Sequence, residues 1–198
     1  MAMPAAFDPL IDFDGLWTIR LAEQFLPDPR LPAARYECVN GRLVVSPTEA
    51  YTNSWGESKL LRLIGDAGEA AGFYVSGSVN LTFQPGTWIQ PDVTVLHSLP
   101  DTEEQDTWVP VSLCSMAVEF ISPGNRRTDL VNKPAMCAGA GVPFFLRVEI
   151  VRRLRHASVE LYKLVDGGYV TLARAVAGQP FETDEPFPMR FDPAQLVP

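Results

Sequence analysis

Histidine, cysteine and lysine are scarce in this chain, and each scarcity removes a class of function. Only His97 and His156 supply imidazoles among 198 residues, so a site built on several histidine ligands, as in most zinc hydrolases, is excluded. The three cysteines, Cys38, Cys114 and Cys137, are scattered, odd in number and never in a C-x-x-C pair. That pattern argues against a disulfide framework or a thiolate zinc cluster and makes a reducing, cytoplasmic location the expectation. Long apolar runs are missing too: the segment 143–151 is interrupted by Arg147 and Glu149, and no window approaches the ~18 apolar residues of a spanning helix. Membrane insertion is therefore not expected. Asp8, Asp12 and Asp14 stand where a secretory leader needs an unbroken apolar stretch, so the N-terminus reads as uncleaved. Basic charge is also in deficit. Sixteen Lys plus Arg against twenty-four Asp plus Glu give −8, which excludes a polybasic nucleic-acid binder and makes any such contact local.

Apolar residues make up 46% of the chain and aromatics 10%, enough for a substantial core. The length fits one domain over 1–198, with 1–34 a helical extension and 176–198 an irregular tail docked by Phe181, Phe187 and Phe191. Apolar spacing predicts a helix over 14–26, stopped by Pro27, Pro29 and Pro32, and a long amphipathic helix over 52–71 capped by Gly72. Asn40-Gly41 between apolar-rich segments predicts a hairpin over 36–45. Extended segments are expected over 73–83, 88–96 and 113–121, with the charged run 101–106 as a solvated loop. A helix over 129–140 contains Pro134, so it starts late or kinks, and Gly139 to Gly141 end it. Strands over 144–151 and 159–165 follow, the second turning through 166–168 into 169–174. This order of helices and strands indicates an α/β (α+β) sheet domain.

Glu119 carries the strongest single chemical signal, because it interrupts the apolar segment 115–121. In a strand Met116, Val118 and Phe120 share one face, and Ala117, Glu119 and Ile121 the other, so the carboxylate is buried and needs a partner or a cation. A structural salt bridge explains such a residue about as well as a ligand does. Asp92 opens the apolar run 93–96 after Pro91. Pro-Asp alone is an ordinary turn, yet two carboxylates on neighbouring strands make a hard-oxygen site suited to Mg²⁺ or Mn²⁺. Lys133, one of only three lysines, lies fourteen residues after Glu119 on a segment that can fold back toward the acids. Taken alone it is an ordinary surface lysine. No G-x-S-x-G elbow is present, and the G-A-G at 139–141 leads into Val142-Pro143 rather than a helix, so neither a serine hydrolase nor a dinucleotide site is indicated.

The segments Y-E-C-V-N-G-R-L-V-V-S-P (36–47), Q-P-D-V-T-V (90–95), V-E-F-I-S-P (118–123), R-R-T-D-L-V-N-K (126–133) and A-G-V-P (140–143) occur in this order. Together they resemble the Uma-two family of endonucleases in the PD-(D/E)xK, restriction-endonuclease-like superfamily, over roughly 36–169. The resemblance implies a central mixed sheet flanked by helices, with Asp92 and Glu119 as metal ligands and catalytic acids. The superfamily's lysine slot, two residues past the second acid, holds Ile121 here; its main-chain carbonyl is then a metal ligand, and the lysine comes from the next helix as Lys133. Glu37 is implied as a further metal ligand and Asp129 as the acid that orients the lysine. The chain departs from the family pattern at Asn53, Cys137 and 144–149, and Pro134 directly follows Lys133.

The expected activity is Mg²⁺- or Mn²⁺-assisted hydrolysis of nucleic-acid phosphodiester bonds, DNA foremost, with a homodimer by family analogy. Charge distribution supports a local contact. Residues 121–156 hold seven basic side chains against two acids, a net +5, whereas 89–119 hold six acids and no base. A catalytically inactive nuclease-fold module that binds nucleic acid or a protein, and a phosphoesterase acting on small nucleotides, are the alternatives.

Overall fold

The computed structural model describes residues 7–29, 35–46, 49–121 and 131–198. In chain order the elements are α1 (Pro9–Asp12), α2 (Ile19–Phe25), β1 (Arg35–Val39), β2 (Arg42–Ser46), α3 (Tyr51–Ala70), β3 (Tyr74–Ser76), β4 (Asn80–Gln84), β5 (Thr87–Ile89) and β6 (Val93–Leu96). There follow α4 (Glu103–Thr107), β7 (Trp108–Pro110), β8 (Cys114–Ile121), α5 (Lys133–Gly139), β9 (Phe144–Val151), β10 (His156–Val165), β11 (Gly168–Val176), β12 (Phe181–Thr183) and β13 (Met189–Phe191).

Two mixed sheets dominate. One has the order β2-β1-β5-β4-β7, the other β11-β10-β9-β8-β6-β3, and β12-β13 form a separate ribbon. Within the six-stranded sheet β8 and β9 run parallel and the other neighbours antiparallel. This is the mixed α/β architecture expected, with its strands divided between sheets rather than gathered in one.

Strand alternation assigns the two faces of β8 as the sequence predicts. Met116, Val118 and Phe120 enter a core with Leu60 and Ile64 of α3 and with Phe181 and Phe187 near the C-terminus. Ala117 faces a second core containing Cys137 of α5, Phe145 of β9, and Leu81 and Ile89 of the five-stranded sheet. The outer face of that smaller sheet, with Cys38 and Trp88, is covered by Trp17 and by Ala22 of α2. All eight residues of β8 are buried, Glu119 among them.

The hairpin forms where Asn40-Gly41 demands it, with φ of 51° and 78° at the two turn residues. Gly41 is doubly required, since a Cβ there would also lie 2.4 Å from the carbonyl oxygen of Gly15. The long helix α3 ends as expected before Gly72, whose φ is +85°.

Several expectations need correction. The first helix begins only at Ile19, capped by the Thr18 hydroxyl, because the Trp17 amide is bonded to Gly41 of the hairpin and a separate turn α1 precedes it. The segments 73–83 and 88–96 each split into two strands that join different sheets. The charged run after Asp101 is exposed but helical in α4, where the Thr102 side chain accepts the Gln105 amide. The tail is ordered by the β12-β13 ribbon and a capped 3₁₀ turn at Pro193–Leu196 rather than irregular. Helix α5 begins at Lys133, with Pro134 at its start and a π-helical pair at 131–132 before it, and the expected beginning at 129 lies outside the described residues. Among the described residues no helix is long and apolar enough to cross a membrane.

Candidate functional site

The chain leaves the five-stranded sheet after Ile89 and enters the six-stranded sheet at Val93, so Gln90-Pro91-Asp92 is the passage between them. Proline suits such a break because it cannot donate to either ladder. Asp92 is thereby fixed at the sheet junction. Its amide donates to the Val118 carbonyl (2.9 Å), and its Oδ2 accepts the Phe120 amide (2.6 Å), so the two bonds bracket Glu119 on β8.

Glu119, 2% exposed, meets the ammonium of Lys133, whose Nζ lies 3.0 and 3.1 Å from the two carboxylate oxygens. The same Nζ is 2.9 Å from Oε1 of Glu37 on β1, and that oxygen also accepts the Gln90 amide at 2.8 Å. Two buried carboxylates and a buried ammonium thus satisfy one another at the start of α5, which neither acid nor cation could do alone at this depth. Pro134 does not remove the ammonium from Glu119.

A second group abuts the first through Asp92. Arg35 of β1 donates from Nη1 to Asp92 Oδ1, and its Nη2 lies 3.5 Å from Glu57 Oε2 and 3.7 Å from Glu49 Oε2. Oxygens of Glu49, Glu57 and Asp92 all lie within 4.8 Å of one another. Burial, together with the neighbouring Glu49 and Asp92 carboxyl groups, pushes Glu57 up to about 10 despite Arg35. Its Oε1 is buried without a hydrogen-bond partner among the described residues.

Of the residues singled out from the sequence, Glu37, Glu119 and Lys133 are in direct contact, and Asp92 is hydrogen-bonded to the residue after Glu119. Ile121 closes β8, buried and in register with Glu149, and Asp129 lies outside the described residues. Arg35, Glu49 and Glu57 escaped the sequence reading. Arg35 could have been found, since it is two residues from Glu37 and therefore on the same face of β1. Glu57 carried a weaker signal, lying directly after Gly56, the residue that lets α3 approach β8.

The fold is a mixed α/β scaffold with a buried acid–lysine–acid core at the junction of its two sheets. The chain belongs to the Uma2 family, described as "Putative restriction endonuclease", whose model matches residues 22–194. Solved structures share the fold. One, a putative nuclease belonging to DUF820 from Anabaena variabilis ATCC 29413, is 16% identical with a TM-score of 0.60, covering 84% of this chain and 93% of that one. No curated protein shows significant similarity to the chain.

Proposed function

We propose that this chain is a divalent-metal-dependent endonuclease that hydrolyses nucleic-acid phosphodiester bonds at the junction of Asp92, Glu119, Glu37 and Lys133. The observation that carries the reading is the Lys133 ammonium held within 3.1 Å of Glu119 and 2.9 Å of Glu37 while Asp92 is bonded beside them on β8. Membership in a family described as restriction endonucleases supports the substrate class.

Mg²⁺ or Mn²⁺ fits the chemistry of this donor set, which consists of hard carboxylate oxygens with no imidazole or thiolate. Asp92 and Glu119 would hold it, with Glu37 and the main-chain carbonyl of Ile121 as further oxygens, as the family resemblance implies; the acid oxygens that already lie within 4.8 Å of one another are those of Asp92, Glu49 and Glu57. When bound, such an ion makes a nearby water more acidic and offsets charge on the phosphoryl oxygens. The chain's own groups do the rest. Lys133 presents a fixed ammonium to charge developing on the phosphate, Glu37 and Glu119 hold that ammonium in place, and Arg35 orients Asp92. Arg152, Arg153 and Arg155, in the exposed turn that follows β9, extend beyond the strand end where Glu119 sits and suit phosphate contacts.

A second reading has one observation in its favour: Asp92 and Glu119 are already neutralised by Arg35 and Lys133, as in a module that binds nucleic acid without cutting it. One assay separates the two. Purified protein is incubated with plasmid, single-stranded DNA and RNA in Mg²⁺ or Mn²⁺, beside Asp92→Asn, Glu119→Gln and Lys133→Ala. Cleavage lost in all three variants supports the enzyme, and binding without cleavage in the wild type supports the module.

A further inference from the structure

One face of the β1-β2 hairpin carries a graded row of side chains. Register pairs Glu37 with Val44 and Val39 with Arg42, and alternation adds Arg35 to the same face. From the acidic junction outward the face therefore reads Arg35, Glu37 with Val44, then Val39 with Arg42 at the turn. Opposite stands α5, and between hairpin and helix lies a cleft of about 640 Å³. Its walls are apolar, from Val39, Val44, Ile89 and Met136, and Glu37 and Lys133 line it where it meets the acidic group. Arg42 is exposed and also lines the cleft.

From this arrangement we infer that the cleft receives one unpaired nucleobase, so that the substrate of the proposed nuclease is single-stranded or locally unpaired nucleic acid. The inference rests on the phosphodiesterase reading of the same site. A base is the planar, largely apolar part of a nucleotide and fills an apolar slot, whereas a phosphate does not. The volume lies within the range of small-ligand pockets, ample for a base and far too small for a duplex. Charge complements the rest of the nucleotide. One phosphate falls at the Glu37–Lys133 end, where the proposed chemistry sits. Arg42 is attached two strand residues further along the hairpin, about 7 Å of strand rise, and its long side chain can reach the adjoining phosphate. In a paired duplex the bases stay stacked and the slot between hairpin and α5 goes unused.

The test uses the full chain with a fluorescein-labelled 12-nucleotide single strand, as DNA and as RNA, and with the matching duplex. Anisotropy is read in EDTA and in Ca²⁺, so that binding is seen apart from turnover. The single strand is expected to bind at least tenfold more tightly than the duplex. Val44→Trp, which fills the cleft from the position opposite Glu37 in the hairpin register, is expected to weaken that binding at least tenfold. Arg42→Ala, exposed at the turn, carries the same test should Val44→Trp lower the melting temperature, with a several-fold loss expected. Equal or tighter duplex binding, or single-strand binding indifferent to both variants, overturns the inference. Failure of the underlying reading looks different. A protein that binds single strands in this Val44-dependent way but cuts nothing in Mn²⁺ contradicts the nuclease and keeps the cleft. A protein that cuts duplex unaffected by Val44→Trp does the reverse.

Discussion

At the scale of single residues, the contact between Lys133, Glu37 and Glu119 is the pivotal one, because three charges are buried together and none has an independent reason to be there. Lys133→Met leaves two carboxylates facing each other out of water, a change expected to cost about 3 to 5 kcal/mol. Adding Glu119→Gln should restore part of that stability in urea denaturation, and a double variant no more stable than Lys133→Met contradicts the pairing. Asp92→Ala strands the buried amide of Phe120 at a cost of about 1 to 3 kcal/mol, while Asp92→Asn keeps an acceptor there, so the asparagine variant is the cleaner probe of charge. Glu57 makes a pH prediction. Its folded value near 10 lies far above the ordinary carboxyl range, so the folded state holds a proton that the unfolded state gives up, and stability falls as pH rises from about 5 toward 10. Glu57→Gln carries no such proton, and calorimetry at pH 5 and pH 9 should show a smaller drop in Tm than wild type. Glu119 and Asp92 were legible in the sequence because an acid inside an apolar strand is conspicuous. Arg35 was legible only through its two-residue spacing from Glu37, and Glu49 and Glu57 were not, since neither interrupts an apolar strand and only the meeting of β1 with α3 brings them to Arg35.

At the scale of elements, the site depends on α3 lying close against β8. Gly56 permits this: a Cβ there would fall 2.7 Å from the Phe120 ring and 2.6 Å from Ile150 Cδ1. Gly56→Ala gains about 1 kcal/mol of helix propensity but overpacks this contact by about 1 to 3 kcal/mol. The net expectation is a modest loss of stability in denaturant titration, larger for Gly56→Val. Leu60→Ala, on the same face, opens a void in the main core and should cost about 2 to 5 kcal/mol. The hairpin, α3, β8 and β9 could be read from period and turn chemistry, which are local. What could not be read was the splitting of 73–83 and 88–96, because membership of one sheet or the other is decided by distant partners rather than by the strand's own residues. Pro91 marked the break in the second segment, and that break is what places Asp92 where two sheets meet. Likewise the ribbon of β12 and β13 lies within a proline-rich tail whose pairing only the docked Phe181 and Phe191 reveal.

For the whole molecule, the charge of −8 opposes a polyanion everywhere except at local basic groups, so binding of nucleic acid is expected to weaken steeply with salt and to respond to a bound divalent cation. A cation held by the folded state alone also stabilises it, by about 2.7 kcal/mol at a hundredfold excess over Kd. Mn²⁺ should therefore raise the melting temperature of wild type and not of Glu119→Gln. Most direct of all is the cleavage assay itself, run with wild type and Glu119→Gln well below both melting temperatures on a single-stranded oligonucleotide in Mn²⁺. Site-dependent hydrolysis predicts product from the wild type and at least a hundredfold less from the variant. Equal cleavage by both proteins, or none by the metal-loaded wild type on any nucleic acid, would contradict a hydrolytic role for Glu119.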